Sequence, residues 1–599
     1  MMEKISLIDV IFSKDEQNDG ESTSREKGFF TREFSGSITK RLKRILSMRF
    51  FRISKALSYL LAHISTKVYG TALMSFGLLS ALMYFLNLSH DNSVITPIIG
   101  ISLACIAIPF LLADKPLPIF LQDFGPTDYL FFEFFCMKRH TVLESEKKFP
   151  ILGAVVIGAA PAILSGAMPL WQIALAIGVI ICVYIGMESP EFLYLASLAS
   201  LPFIKLIPHT DTVLFVTLVL AVISFLRKVL YGKRVIYIQS YDIFLGAMLL
   251  FVLISGIFVK GVESFSGSVK MIVFALGYAL ACDIVTNRRL ADRSANSIIL
   301  PGAIAALVSI GQLIALIAQS GFDILIDDLD LMLARQDGMA VYFIAATVYG
   351  IGFIKHSGQP AKTIYVISVI FNLLGLVLSG EVFAVIVLLV GIPAYAVLKS
   401  NKLIWLFLPV LLVLPVAILL LPNHVLNILF TYSPSISTAE ELLALWEHCL
   451  EEFLNNIFVG IGIGSESFVT EMESLGSFGY TDSSNLFIEL GLEAGVFALI
   501  CFLMIIITRI RHRAVRYLYV RNSQIESLSI ASGVCLFCLL SFGFVNYIWS
   551  DASAYYLFWC IFGMGSASLR VAKRDYDDQV LYYEESSAQD SSVIDIEIG

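Results

Sequence analysis

The sequence predicts an all-α, polytopic integral membrane protein with about 16 transmembrane helices. Of its 599 residues, 57% are apolar and only 15% are charged, whereas a soluble domain has about 25% charged residues. Apolar runs of about 20 residues recur along most of the chain, and each can cross a hydrocarbon core as a helix. Open sheet edges cannot be satisfied in lipid, so the spans are expected to be helical.

The N-terminal segment, residues 1–56, is polar and is expected to be cytoplasmic rather than a cleaved signal peptide. Residues 40–55 contain seven basic residues and no acid, and their apolar residues recur at helical spacing. This pattern predicts a basic amphipathic helix on an anionic membrane surface. A plain basic flank of the first span explains the pattern equally well.

The spans are expected to begin near residues 68, 94, 150, 169, 190, 211, 241, 268, 297, 338, 362, 381, 403, 486, 526 and 551. With the N-terminus inside, the basic loops all fall on the cytoplasmic side, as the positive-inside rule requires. An even number of spans then places both termini in the cytoplasm. Because the basic segments follow this rule, they give no indication of nucleic-acid binding. Residues 569–599 are acidic and rich in serine, and we expect a disordered tail there.

One long loop, residues 422–482, is expected on the outer side. Thr438 and Glu441 form a capping-box pattern. The apolar residues that follow at helical spacing are Leu442, Trp446, Leu450 and Phe453/Leu454. This pattern predicts an amphipathic helix that rests on the helix bundle or on the lipid surface. Long loops on a rigid scaffold often carry function.

A glycine-rich phrase, GIGIGSESF, begins at Gly460 directly after this helix. Gly460, Gly462 and Gly464 could form a tight turn, or their N–H groups could bind a phosphate. The phrase DSSN then precedes an apolar run. Asp482, Ser483 or Ser484 could cap the helix that begins there.

Taken together, these phrases resemble the O-antigen ligase/polymerase superfamily. The resemblance rests on LWEHCLEEFLNNIFVGIGIGSESF (445–468) and DSSNLFIELGLEAGVFALICF (482–502), and more loosely on ARQDGMAVYFIAATV (334–348) and LVLSGEVFAVIVLL (376–389). It covers residues 190–568 as a transmembrane core of about twelve spans. Residues 57–189 would then form an additional N-terminal transmembrane block.

The resemblance implies a glycosyltransferase of the bacterial plasma (inner) membrane. Such a protein moves a glycan from a polyprenyl diphosphate carrier to a growing polysaccharide or a lipid acceptor, on the outer face. Its partners would be the polyprenyl diphosphate-linked glycan and membrane lipids.

The family residues carry over only in part. Asp482 and Asn485 match the family phrase, but Ser484 stands where the family usually has His, and Glu381 follows Ser379-Gly380 where the family has Arg. The candidate catalytic residues are Glu381, His448 and Ser484. The candidate substrate-binding residues are Arg335, Gly460, Gly462, Gly464, Asp482 and Asn485.

Electrostatics makes the departures important. Residues 422–482 contain nine acids and no Lys or Arg, whereas a diphosphate is best bound by cations. Arg335 is the preferred cation, and Lys260 and Lys270 also lie on the outer side. A divalent cation such as Mg²⁺ could also bridge carboxylates and diphosphate, although no spacing of residues marks a metal site.

Two alternatives remain open. Within the same chemistry, the chain could be a distant relative of the peptidoglycan polymerases of cell shape and division. In another class, it could be a non-catalytic family member, or a protein that binds or transports lipid-linked oligosaccharides. Transport would predict charged residues deep within the spans, and the sequence has few.

Overall fold

The computed structural model describes residues 64–86, 95–123, 150–166, 190–204, 210–230, 239–258, 262–320, 332–354, 361–399, 439–464, 482–520 and 525–597, with a few isolated positions besides. In these ranges the regular structure is helical, and the β contact is a single bridge between Ser65 and Pro116. The predicted basic helix at 40–55, Lys260 and Thr438 lie outside the described residues.

The helices are α1 (Thr66–Phe85), α2 (Ile95–Leu112), α3 (Leu117–Asp123), α4 (Ile151–Leu164), α5 (Pro190–Ser200), α6 (Thr210–Leu230), α7 (Ser240–Phe258), α8 (Val262–Ile284), α9 (Arg288–Ser320), α10 (Met339–Ile354), α11 (Ala361–Leu378), α12 (Val382–Lys399), α13 (Ala439–Asn455), α14 (Leu486–Val520), α15 (Glu526–Phe542) and α16 (Ala552–Glu597). A short 3₁₀ turn, Leu333–Arg335, precedes α10.

Several described helices are long and apolar enough to cross a membrane. Among the described residues they are six: Thr66–Phe85, Tyr241–Phe258, Ser264–Ile284, Arg288–Ala318, Ala361–Leu378 and Leu486–Arg513. Shorter apolar helices of 10–17 residues accompany them, including Met339–Ile354 and Glu526–Phe542. The protein is therefore a multi-pass helical membrane protein, as the sequence predicts. The number of about sixteen crossings remains a prediction.

The chain divides into two compact units. The first comprises residues 1–193 and 220–236, and the second comprises residues 194–219 and 237–599. In the first unit, α1 packs closely on both α2 and α4. A Cβ on Gly77 would lie 2.5 Å from the carbonyl oxygen of Gly100, and a Cβ on Gly158 would lie 2.0 Å from that of Ala72. Small residues thus allow the helix backbones to touch, as in other membrane bundles.

The centre of the second unit is the first part of α16. Trp559 in this helix is completely buried, and a Cβ on Gly563 would lie 2.5 Å from the carbonyl oxygen of Tyr278 in α8. Arg570 donates to the carbonyl oxygens of Cys282, in the last turn of α8, and Val285, directly after it. A cation at this position satisfies the free carbonyls of the helix C-terminus. The C-terminal part of α8 is therefore fixed against α16.

The C-terminal residues differ from the sequence expectation. Disorder is predicted for residues 569–599, but helix α16 continues to Glu597. No glycine or proline lies between Gly565 and Gly599. The backbone therefore meets none of the residues that most strongly end a helix.

Candidate functional site

The site is organised by a break in helix α14 at Gly495. This residue has φ 82° and ψ 172°, so the first turns of α14 are separated from its long apolar part. The freed carbonyl oxygens of Leu492 and Glu493 accept hydrogen bonds from Ile461 (2.9 Å) and Gly462 (3.1 Å). The broken helix and the glycine-rich segment thus satisfy each other's backbone groups, which buried backbone requires.

Glycine is needed on both sides of this contact. A Cβ on Gly495 would lie 2.4 Å from the carbonyl oxygen of Phe458, and one on Gly460 would lie 2.4 Å from that of Glu493. Gly460 also has φ 77°, a conformation that favours glycine. The main role of Gly460 and Gly495 is therefore to let the two backbone segments lie in close contact.

The start of α14 is capped by Asn485. Its Oδ1 accepts hydrogen bonds from the backbone N–H groups of Phe487 (2.9 Å) and Ile488 (3.2 Å), and its Nδ2 donates to the carbonyl oxygen of Phe544 (3.0 Å). Asp482 Oδ1 accepts from the N–H of Ser484 (2.8 Å), which is in the preceding turn. The prediction that Asp482, Ser483 or Ser484 forms the cap is therefore wrong, because the cap is one residue further along.

Helix α13 covers this turn. Leu442, Leu445 and Cys449 are buried against Leu492 of α14, and the indole Nε1–H of Trp446 donates to the carbonyl oxygen of Ser483 (2.9 Å). This helix lies at the position that the sequence predicts.

The buried face of α13 differs from the predicted one. The sequence predicts Leu450 and Leu454 in the apolar stripe, but they are 45% and 65% exposed. The buried face is instead the one that carries Trp446, which donates to the Ser483 carbonyl, and Cys449, which packs against Leu492.

A cavity of about 300 Å³ lies between these elements and α8. Its lining residues come from α6, α8, the glycine-rich segment, the start of α14, and the turn that leads into α16. They are Asp211, Gly267, Lys270, Met271, Phe274, Ile461, Gly462, Ile463, Gly464, Asp482, Glu489, Glu493, Tyr547, Trp549, Ser550, Ala552 and Tyr555.

Two buried carboxyl groups, Glu489 and Glu493, lie one helical turn apart in this lining, and they are 5% and 6% exposed. Glu493 is held on both oxygens: Oε1 accepts from the N–H of Gly464 (3.1 Å) and Oε2 from the hydroxyl of Tyr547 (2.8 Å). Glu489 Oε2 accepts from the N–H of Ser483 (2.7 Å). No described residue donates a hydrogen bond to Glu489 Oε1.

The carboxyl groups affect their neighbours. Burial raises the pKa of Tyr547 well above 10, and the charges of Glu493 and Glu489 raise it further. Burial also raises the pKa of the Cys449 thiol to about 12, with further contributions from Glu489 and Asp482. Both shifts favour the neutral form, as expected beside negative charge in a poorly hydrated site.

The cation in the cavity lining is Lys270. Its ammonium lies 3.9 Å from Asp211 Oδ2, and the two side chains are 46% and 50% exposed. No other Lys or Arg of the described residues lines this cavity. Arg335, the cation preferred from the sequence, lies elsewhere: its guanidinium carbon is 3.6 Å from the position of a Cβ on Gly380.

Of the other predicted site residues, some line the cavity and others do not. Asp482, Gly462 and Gly464 line the cavity, whereas Glu381, His448, Ser484, Asn485 and Gly460 do not. Ser484 is buried, with φ 51°, and Glu381 directly follows Gly380, the glycine that Arg335 approaches.

The described part of the glycine-rich segment, residues 460–464, is not an open phosphate cradle. The N–H groups of Gly460, Ile461 and Gly462 donate to backbone carbonyls, that of Ile463 to Ser264 Oγ, and that of Gly464 to Glu493. All five donors are therefore used within the protein.

The described part of the site contains no preformed metal centre. No group of three or more His, Cys, Asp or Glu side chains there is placed to hold a metal ion. Asp482, Glu489 and Glu493 share the cavity, but Glu493 is already bound through both oxygens. No chemical step is therefore assigned to a divalent cation.

Sequence reasoning missed Glu489, Glu493, Tyr547 and Trp549. A signal was present for the first two, because ELGLEAG places two acids four residues apart at the start of an apolar run. Such a pair lies on one face of a helix. Tyr547 and Trp549 belong to a short segment between α15 and α16 that carries no motif.

The fold and the cavity define a multi-pass helical membrane protein with a polar site under an amphipathic helix. The family model for O-antigen ligase matches residues 367–503. The match includes most of α11, then α12, α13, the glycine-rich segment and the start of α14, and it confirms the resemblance to the O-antigen ligase/polymerase superfamily. A comparison with curated proteins gives no significant match.

Proposed function

We propose that this protein transfers a glycan from a polyprenyl diphosphate carrier to a growing polysaccharide or a lipid acceptor. The reaction takes place in the cavity under α13, on the outer face of the bacterial plasma membrane. One observation carries the proposal: the buried carboxyl groups of the family-matched region converge on a single cavity with aromatic rings and one lysine from other parts of the chain.

The cavity suits a sugar. Carboxylate oxygens accept hydrogen bonds from hydroxyl groups, and Asp482, Glu489 and Glu493 supply such oxygens. Tyr547 and Trp549 add aromatic surface for the apolar face of the ring. Trp549 is 5% exposed, and its indole N–H has no hydrogen-bond acceptor among the described residues. Because this N–H is itself fully buried, Trp549 offers a sugar its ring surface rather than a hydrogen bond.

The membrane supplies the rest of the donor site. Helix α8 carries Lys270 at the cavity and contains the apolar segment Ser264–Ile284, which is long enough to span a membrane. A polyprenyl chain can lie along such helices while its diphosphate reaches the cavity. In this proposal about sixteen spans place both termini in the cytoplasm, and residues 57–189 are an additional transmembrane block that precedes the core 190–568 in sequence.

The test uses detergent-purified protein and polyprenyl diphosphate-linked glycan extracted from the membranes of the cells that make it. Mass spectrometry should detect longer or transferred glycan together with freed carrier. Saturable binding of the donor without any product would instead favour the binding or transport class.

A cavity-blocking variant ties the activity to this site. Ser550 is exposed at the cavity lining, so Ser550→Trp should obstruct the site without disturbing the core. Asn455 is exposed at the end of α13 and does not line the cavity, so Asn455→Trp is the matched control. Equal loss of product in both variants would contradict the placement of the reaction.

A further inference from the structure

We infer that Glu489 is the base that accepts the proton of the acceptor hydroxyl, and that Lys270 binds the diphosphate of the donor. The inference rests on the proposed function and names the residues that act in it. Neither residue belongs to the candidates that the family resemblance supplies.

Glu489 has the geometry of a base. Ser483 N–H holds its Oε2 at 2.7 Å, which fixes the orientation of the carboxylate. Its Oε1 accepts no hydrogen bond from a described residue, and the side chain lines the cavity. One oxygen is thus anchored and the other is available to a ligand, as a general base requires.

Glu493 is the natural comparison, because it lies one turn away and is equally buried. Both of its oxygens already accept hydrogen bonds, from Gly464 and Tyr547. Its backbone carbonyl also accepts from Gly462 and from Ser255 Oγ. Glu493 is therefore a positioning residue that holds the glycine-rich segment and Tyr547 around the cavity.

The position of Glu489 also compensates for a departure from the family phrase. Ser484 stands where the family usually has His, and it is buried outside the cavity lining. Glu489 lies on the first turn of α14, a short distance along the chain from Ser484. A carboxylate from this turn supplies a proton acceptor that Ser484 cannot.

Lys270 has the geometry of an anion ligand. Its contact with Asp211 is long, at 3.9 Å, and it makes no other ion pair with a described residue. The ammonium is half-exposed, whereas Glu489 and Glu493 are buried. The diphosphate can therefore bind at the exposed lysine, with the sugar directed towards the buried carboxyl groups. This arrangement limits repulsion between the diphosphate and the acids.

The acceptor hydroxyl gives its proton to Glu489 Oε1, and its oxygen forms a bond to the anomeric carbon of the donor sugar. The bond from that carbon to the diphosphate oxygen breaks, and the electron pair leaves with the diphosphate. Lys270 offsets the added negative charge on this leaving group. Glu489 then loses the proton to the released diphosphate or to water.

The first experiment separates chemistry from binding. Transfer is measured with the membrane-extracted donor, and binding is measured with polyprenyl diphosphate that carries no sugar. Glu489→Gln keeps an oxygen for Ser483 N–H, so it should bind the probe within about 3-fold of wild type and lose about 10²–10⁴-fold in transfer rate. Glu489→Asp keeps a carboxylate and should retain more transfer than Glu489→Gln. Glu451→Gln, an exposed acid on α13, controls for charge.

The second experiment replaces Lys270 and Asp211 in turn, and the two replacements should change the affinity for polyprenyl diphosphate in opposite directions. Lys270→Gln should weaken binding of polyprenyl diphosphate about 10-fold. It should also reduce the preference for polyprenyl diphosphate over polyprenyl monophosphate. Asp211→Asn removes the competing acid and should tighten binding about 2- to 5-fold. Unchanged binding in Lys270→Gln would overturn the role of Lys270.

The outcomes distinguish this inference from the proposed function. If wild type makes product and Glu489→Gln does so within about 3-fold, Glu489 is not the base, although the proposed function stands. If wild type neither makes product nor binds polyprenyl diphosphate, both are overturned. The melting temperature of Glu489→Gln shows whether this variant is folded. If it is not folded, Glu489→Asp provides the second test.

Discussion

Replacement of Gly495 by alanine should disrupt the site through the backbone alone. Gly495 has φ 82° and ψ 172°, a region that only glycine adopts readily. A Cβ there would lie 2.4 Å from the carbonyl oxygen of Phe458, so the glycine-rich segment would have to move away from α14. The substitution removes no polar group and adds one methyl group.

The expected cost follows from these contacts. Forcing an alanine into this conformation costs about 1–3 kcal/mol. Moving Phe458 also strains the neighbouring hydrogen bond from Val496 N–H to the Ile457 carbonyl, which is 2.8 Å long. Loss of such a bond costs about 1 kcal/mol net. The total is therefore about 2–4 kcal/mol.

Thermal unfolding of the purified protein in detergent measures this effect. Gly495→Ala should lower the melting temperature by roughly 2–4 °C, and it should also reduce glycan transfer. Gly246→Ala is the matched control, because Gly246 lies within α7 and a Cβ there meets nothing within 4 Å. That variant should be neutral or stabilised by up to about 1 kcal/mol. Equal melting temperatures for both variants would refute the reasoning.

Three further predictions concern the same site. Trp446→Phe removes the donor to the Ser483 carbonyl and should expose α13 to limited proteolysis, at a cost of about 1 kcal/mol. Because the pKa of Tyr547 is raised in the folded protein, its contribution to stability is present below about pH 10 and is lost as the pH rises further. Tyr547→Phe should therefore melt at a lower temperature near neutral pH, because Glu493 loses a donor, but its melting temperature should fall less steeply above pH ~10. A steeper fall would contradict this. Cys449 is fully buried with a pKa of about 12, so maleimide at about pH 8 should label it only after denaturation. Labelling of the folded protein would show that α13 opens.

Local patterns in the sequence were enough to predict several features. The apolar runs indicated a multi-pass helical protein, and the phrases around Gly460 and Asn485 indicated the family. The amphipathic pattern also located the helix that begins at Ala439. These features depend on which residue types recur at short spacings along the chain, so the sequence alone is enough to predict them. The predicted buried face of that helix was wrong at Leu450 and Leu454. The pattern permits two adjacent apolar faces, and only packing in the folded protein decides which of them is buried.

Only the tertiary structure decided the composition of the site. Glu493 meets Tyr547 from 54 residues further along, and Ile463 meets Ser264 from 199 residues earlier. Lys270 reaches the cavity, whereas Arg335 lies over Gly380. Both arginine and lysine were plausible cations in the sequence, because charge and position relative to a span do not specify which helices touch. That choice is made by close contacts between helices, where a single glycine decides how near two backbones can lie.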